Sequence, residues 1–271
     1  MFDTIVDGSF SLLKETASIL EKAKVEYIII GGWSPFLLNS NEKFKHPGTK
    51  DVDILFKDGT NQGELKHVIL LFLENNFLLS AKHDFQLLKE IKIQGKSFVY
   101  NIDLLHPSES ISNPELFVDH LEFDIPIDKY RSHNFMQRSI ALPESNILFN
   151  GYSEKIHVGE INSDITLMNE TGCLITKSSS VKVKKRPRDS YDIFLAINNC
   201  RDYDVMVSQI LSLRQVDEPA FNSLYGIREV FEKKILHENI AKFCQIEDEK
   251  LDELFMNFFN DTGLDTLAQN G

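Results

Sequence analysis

Asp51-Val52-Asp53-Ile54-Leu55-Phe56 begins with two acidic residues on either side of a valine and ends in an unbroken apolar run. Alternate side chains of a strand share a face, so Asp51 and Asp53 project together. The apolar residues beside them predict a strand that is otherwise buried. Two carboxylates held that close repel unless a cation lies between them. Putting paired charges on a buried strand costs on the order of several kcal/mol unless something compensates. Oxygen ligands of this type suit Mg²⁺ or Mn²⁺. Taken alone, the pattern fits equally a strand edge carrying two solvated aspartates.

The segments on either side sharpen the reading. Upstream, Tyr27-Ile28-Ile29-Ile30 has the β-branched character of a buried strand and runs into Gly31-Gly32-Trp33-Ser34. Trp33 to Leu38 predicts a helix, with Pro35 tolerated in its first turn. Glycine after a strand lets backbone amides approach a phosphate. The helix start adds positive potential, and the Ser34 hydroxyl is placed to donate to a phosphate oxygen. Downstream, Asn101-Ile102-Asp103-Leu104-Leu105 is again an acidic residue inside an apolar strand. If that strand neighbours the first, Asp103 completes a three-carboxylate cluster able to hold two metal ions. Asp103 is then also placed to take the proton of an acceptor hydroxyl.

Around these motifs, Phe10 to Val25 has helical spacing and Gln62 to Asn75 reads as an amphipathic helix. The polar stretch from Asn39 to Lys50, with Pro47-Gly48, reads as a loop. Phe85 to Ile93 and Phe98 to Leu105, joined through Gly95-Lys96, read as a hairpin. Short apolar runs between Asp124 and Ile165 suggest further strands. From about Leu167 helical patterns dominate: Tyr191 to Asn199, Tyr203 to Leu213, Phe221 to Leu236 and Lys250 to Phe259. The expected fold is α+β or α/β, with a mixed-sheet domain over 1–165 and a mostly helical domain over 166–271.

The formal net charge is −12, so a basic patch marks a local site and not a general property. Such a patch exists. Lys182, Lys184, Lys185, Arg186 and Arg188 place five cations in seven positions, shortly after Lys177. They suit a triphosphate or a nucleic-acid backbone; an exposed charge-balancing loop and a localisation signal are the competing readings. Asp189 and Asp192 follow at helical spacing, on one face, where they are able to orient the basic side chains. Cys173, Cys200 and Cys244 match no zinc spacing and predict buried thiols in a reducing, cytoplasmic setting. No apolar run approaches the roughly 20 residues of a membrane span, and Met1-Phe2-Asp3 does not start a secretion signal. His46 and His106 lie near the motifs without a pattern of their own, and Phe255, Phe258 and Phe259 read as core.

Together, Ile30-Gly31-Gly32-Trp33-Ser34, Asp51-Val52-Asp53 and Asp103 resemble the nucleotidyltransferase superfamily that shares the DNA polymerase β core. Thr49-Lys50-Asp51-Val52-Asp53, the later Lys177 and Arg188-Asp189-Ser190-Tyr191-Asp192-Ile193 resemble its AbiEii-type toxin branch, of type IV toxin–antitoxin and abortive-infection systems. The resemblance implies a catalytic α/β domain and a helical domain with the active site in the cleft between them. It implies Asp51 and Asp53 as ligands of Mg²⁺ or Mn²⁺ and Asp103 as the third carboxylate. It implies Gly31, Gly32, Ser34 and Thr49 around the nucleotide, and Lys177, Lys185 and Arg188 as the cations from which the phosphate contact is drawn. Asp189 would support them. Three departures stand out: Trp33 is bulky where the family usually has a small residue, Pro35 follows at once, and lysines crowd the interval from Lys177 to Arg188.

The implied activity moves a nucleoside monophosphate from an NTP to an acceptor hydroxyl, on RNA such as a tRNA end or on protein, with an antitoxin as a partner. A transferase acting on a small, antibiotic-type molecule would use the same carboxylates. A nucleotide- or RNA-binding module without catalysis is the alternative of a different class.

Overall fold

The computed structural model describes residues 3–38, 44, 46, 48–108, 118–124, 134–159, 161 and 163–265. Ten helices and nine strands are described. In chain order they are α1 (Ile5–Ala23), β1 (Tyr27–Ile30), α2 (Trp33–Leu38), β2 (Asp51–Phe56), α3 (Gln62–Glu74), β3 (Leu78–Leu79), β4 (Gln86–Ile93) and β5 (Lys96–Pro107). There follow β6 (Val118–Asp124), β7 (Asn134–Leu142), β8 (Ser153–Val158), β9 (Ser163–Met168), α4 (Glu170–Ser180), α5 (Pro187–Asn198) and α6 (Tyr203–Val216). The last are α7 (Glu218–Ser223), α8 (Tyr225–Glu232), α9 (Ile235–Ile240) and α10 (Asp248–Thr262).

The chain divides into two compact units. The first comprises Met1–Gly31, Gly48–Phe149 and Lys155–Leu167; the second comprises Gly32–Pro47, Asn150–Glu154 and Met168–Gly271. The change from strands to helices near residue 166 thus falls where the sequence suggests, but 32–47 and 150–154 belong with the helices.

The first unit is built on a mixed sheet ordered β3-β4-β5-β2-β1-β9-β8, with β7 pairing β5 and β6 pairing β7. β1 and β2 are antiparallel, whereas β2 and β5 are parallel. The β4–β5 hairpin turns at Gln94 (φ 49°) and Gly95 (φ 80°), two consecutive left-handed residues whose twist matches that of the strands they join. Helices α1 and α3 start at reciprocal caps, Thr4 with Asp7 and Asn61 with Glu64, which satisfy amides that have no helical partner. One sheet face is covered. Tyr100 is fully buried and donates to the Ile5 carbonyl of α1, and its register partner Lys89 reaches Glu15 of α1 and the Asn75 carbonyl at the end of α3. Val52, Ile54, Phe56, Ile102 and Leu104 fill the interior. By alternation, Asp51, Asp53, Asn101 and Asp103 lie on the other face.

The second unit packs α2 and α4 to α10 around an aromatic core. Phe255, Phe258 and Phe259 are buried there, as their spacing predicts, with Phe231 against Phe255 and Phe259. The single helix expected over Phe221 to Leu236 is instead three short ones. Lys234 is left-handed (φ 58°), ending α8 and starting α9, and Gly226 lies so close to α4 that a Cβ would meet the Ser178 carbonyl at 2.4 Å. Helix α5 starts four residues earlier than the apolar pattern suggests, because Pro187 occupies its first turn. Of the three cysteines only Cys173 is buried; Cys200 and Cys244 are half-buried, which corrects the expectation for those two. No helix among the described residues is long and apolar enough to cross a membrane. Most of 39–50, read as a loop, and part of 124–165, read as strands, lie outside the described residues.

Candidate functional site

In the first unit, the question posed by the sequence is whether Asp103 joins the Asp51/Asp53 pair. The register answers it. Asp53 lies opposite Asp103 and Asp51 opposite Asn101 on neighbouring parallel strands. Partners in register share a face and stand about 4.8 Å apart at the backbone. Asp51 is exposed, while Asp53 and Asp103 are half-buried.

Each carboxylate has a local arrangement that fits this placement. Thr49 Oγ1 donates to Asp51 Oδ1, and the Asp51 amide lies 3.4 Å from Thr49 Oγ1. Gly31 (φ 85°) leaves room for Asp53, since a Cβ there would come 2.6 Å from Asp53 Oδ2. Asp103 Oδ1 accepts from Gln86 Nε2 at 2.9 Å and Asn101 Nδ2 at 2.6 Å. Burial pushes the Asp103 carboxyl above its ordinary range, and the charge of Asp51 adds to the rise; the bonds from Asn101 and Gln86 and the nearby His83 oppose it.

Three carboxylates on two adjoining strands form a hard, all-oxygen donor set, and in chemistry they fit Mg²⁺ or Mn²⁺. Among the described residues, no three His, Cys, Asp or Glu side chains are gathered tightly enough to hold one ion as they stand. Asp103 is turned toward Gln86 and Asn101, and Asp51 toward Thr49.

In the second unit the basic residues divide into two kinds. Lys184, Lys185 and Arg186 are exposed on the turn before α5. Lys177 is withdrawn, its side chain 13% exposed, with Nζ 2.7 Å from Asp189 Oδ1 and 3.2 Å from Asp192 Oδ2. Those carboxylates hold the lysine charged, raising its pKa despite the burial that opposes it. Asp189 and Asp192 do share a face of α5 and orient Lys177. Buried at 4% and 1% exposure, they form an ionic core and not a pair of solvated helix-start charges.

Arg188 is the third case. Its Nε lies 3.6 Å from Asp192 Oδ1 and its Nη2 is 3.1 Å from His46 Nε2. Its guanidinium also occupies the space beside Gly32, where a Cβ would fall 1.8 Å from Nη2. His46 stacks on Trp33, with ring centroids 4.1 Å apart and planes 13° from parallel. Burial first, and then the charge of Arg188, lower the His46 pKa to about 3, so the ring is neutral and accepts from the guanidinium. Ser34, on the six-residue α2, is fully buried; from that position its hydroxyl does not reach a phosphate in solution, contrary to the expectation for it.

The sequence reading singled out neither His46 nor Trp33. The bulk of Trp33 was the available signal: a large ring where a small residue is usual needs a partner, and that partner is His46.

No protein-family model matches the sequence, and no curated protein matches it. Among solved structures, the chain is similar to an antigenic nucleotidyltransferase-like protein from Paracoccidioides brasiliensis, with 13% identity and a TM-score of 0.37, over 79% of this chain and 91% of that one. At that identity and score the likeness carries no weight for function, which has to be argued from the residues.

Proposed function

We propose that this protein is a metal-dependent nucleotidyltransferase that moves a nucleoside monophosphate from an NTP to an acceptor hydroxyl. The observation that carries the reading is the in-register pairing of Asp53 with Asp103, with Asp51 on the same sheet face. Three acidic side chains on one face of an otherwise apolar pair of strands are costly to a merely structural protein.

A divalent ion held by Asp51, Asp53 and Asp103 would neutralise charge on the triphosphate and the departing pyrophosphate and acidify the acceptor hydroxyl. Asp103, its basicity raised by burial, takes the hydroxyl proton. The hydroxyl oxygen bonds to the α-phosphorus, and the bond from that phosphorus to the pyrophosphate oxygen breaks. Gln86 and Asn101 fix the Asp103 carboxylate for this role, and Thr49 fixes Asp51. In the second unit, Lys177 with Asp189 and Asp192 is the ionic core that stiffens the start of α5, where Arg188 stands. The exposed Lys184, Lys185 and Arg186 favour a polyanionic acceptor, RNA, over a small neutral one. A toxin of the AbiEii type is the finer form of this reading, and it rests on the sequence resemblance.

The test is incubation of the purified chain with each labelled NTP, Mg²⁺ or Mn²⁺, and total RNA or cell protein. Label should appear on RNA and should vanish with Asp53→Ala. Label on a small molecule instead would move the acceptor class. Tight NTP binding without transfer, indifferent to Asp53→Ala, would point to a non-catalytic binding module.

A further inference from the structure

We propose that His46 and Trp33 are positioning residues that lock the Arg188 guanidinium against Gly32, making Arg188 the cation of the second unit that meets the triphosphate. The inference rests on the nucleotidyltransferase reading and resolves which of the crowded basic residues does this work.

The argument is one of charge and order. Lys177 is committed: two buried carboxylates neutralise it within 3.2 Å. Lys184, Lys185 and Arg186 are exposed on a turn, and a long flexible cation there gives up much rotamer freedom to grip one phosphate. Arg188 differs on both counts. Its side chain is 22% exposed, and it is ordered by three contacts: Asp192 at Nε, His46 at Nη2 and the missing side chain at Gly32. The pre-set planar fork of arginine suits a phosphate better than a lysine point charge.

The choice of histidine as the partner matters. A carboxylate at position 46 would hold the guanidinium as firmly but would cancel its charge. A neutral imidazole accepts the hydrogen bond and leaves the cation available to an anion. Trp33 supplies the rigidity: stacked at 4.1 Å on the imidazole, and itself only 2% exposed, it prevents the ring from swinging away. Phe36 closes the other approach, edge-on to His46 at 5.0 Å. These contacts account for both unusual features of the Gly32–Trp33 step: the residue that must have no side chain makes room for Arg188, and the residue with the largest one holds its partner.

The experiment is calorimetric titration of the full-length protein with inorganic triphosphate, the part common to every NTP, for wild type, Arg188→Ala, His46→Ala, His46→Gln and the Arg188→Ala/His46→Ala double variant. Thermal melts report folding. Arg188→Ala and His46→Ala should each weaken binding roughly tenfold or more, the size expected for losing one hydrogen-bonded charge. His46→Gln, which keeps a neutral acceptor near the place of Nε2, should remain within about threefold of wild type. The double variant should be no weaker than Arg188→Ala alone, because His46 acts through Arg188. Should His46→Ala fail to fold, Arg188→Lys carries the test: it keeps the charge but cannot span His46 and Asp192, and should lose roughly tenfold. Unchanged affinity in Arg188→Ala or Arg188→Lys, or additive losses in the double variant, overturns the proposal. If wild type transfers label from NTP while Arg188→Ala binds triphosphate normally, only this inference falls. If wild type neither binds triphosphate nor transfers label, the nucleotidyltransferase reading falls with it.

Discussion

Gly32 and Arg188 compete for one volume: a Cβ on residue 32 would lie 1.8 Å from the Arg188 Nη2. Gly32 lies outside the left-handed region, so its lack of a side chain is explained by the guanidinium and not by backbone strain. Gly32→Ala should therefore displace Arg188 while sparing the fold. We expect its melting temperature to stay close to wild type and its affinity for inorganic triphosphate to fall roughly tenfold, as for loss of the guanidinium contact itself. A Gly32→Ala variant that binds normally would show that the guanidinium has no fixed post.

Gly31 is required for a different reason, and its substitution should read out differently. It combines a left-handed φ of 85° with an absent Cβ that would meet Asp53 Oδ2 at 2.6 Å. Alanine there is strained in backbone and crowded in side chain. Gly31→Ala should cost about 1–3 kcal/mol of stability, measured by urea denaturation. It should also lower label transfer by moving a proposed metal ligand. The two adjacent glycines are thus separable by assay, one mainly through stability and the other mainly through binding.

Asp103 is held in a form that suits catalysis and costs stability. Its pKa in the folded state is raised above the model value of 3.8, chiefly by burial. Between 3.8 and that raised value the folded state binds more protons than the unfolded one. The carboxyl's stabilising contribution is therefore complete below 3.8 and is lost as pH rises through the folded pKa. Asp103→Asn, which keeps an oxygen for Gln86 and Asn101 to reach, should melt higher than wild type at pH 7 and equally at pH below 3.8. Label transfer should drop at least about 100-fold. A variant that is both less stable at pH 7 and fully active would remove Asp103 from the proposed chemistry.

What the sequence revealed, and what it withheld, follows from how far apart the interacting residues lie. The Asp51/Asp53 pair is local, and strand alternation alone predicts its shared face. Asp103 was legible only as an acidic residue in an apolar run. Its pairing with Asp53 depends on a parallel contact across 50 intervening positions, which no local pattern encodes. The hairpin from Gln86 to Pro107 was legible because its turn carries glycine next to two alternating strands. Asp189 and Asp192 were recognised as sharing a helix face, but a solvated pair and a buried ionic core have the same spacing. Burial against Lys177 decides between them, and burial is a tertiary property. His46 had no periodic neighbours to mark it, and its role exists only through Trp33, 13 residues earlier, and Arg188, 142 residues later. The break of the expected helix over Phe221 to Leu236 was hidden because Lys234, a good helix former, adopts the left-handed conformation there.

Lys177 should prove a stability residue before it proves a binding one. Its removal strands Asp189 and Asp192, both nearly inaccessible, with Arg188 as the remaining cation in reach of Asp192. Breaking a buried ion pair from one side costs on the order of 3–5 kcal/mol, far more than a surface pair is worth. Lys177→Met should lose that much in urea denaturation, and adding Asp189→Asn should restore part of it by removing a stranded charge. If Lys177→Met were instead as stable as wild type but unable to bind triphosphate, the lysine would be the phosphate contact that the sequence resemblance implies.

His46 gives the second unit a pH dependence of definite sign. Folded, its pKa is about 3; the reference value is 6.5. Between those values the unfolded chain carries one more proton than the folded one, so unfolding is favoured as pH falls. The stabilising contribution is whole above 6.5 and is lost as pH drops toward 3, at about 1.4 kcal/mol per pH unit. The ring is 6% exposed, so solvent screening does little to weaken the effect. The charged groups that Arg188 brings to this point work in the same direction: a protonated imidazole would face the guanidinium 3.1 Å away, with Asp192 on the far side of that guanidinium and not against the ring. Urea denaturation from pH 6.5 to 4.5 should show wild type losing more stability than His46→Gln by roughly that slope, after the carboxylates common to both proteins cancel. Parallel slopes would mean that the histidine is charged in the folded protein, and a charged ring could not accept from Arg188.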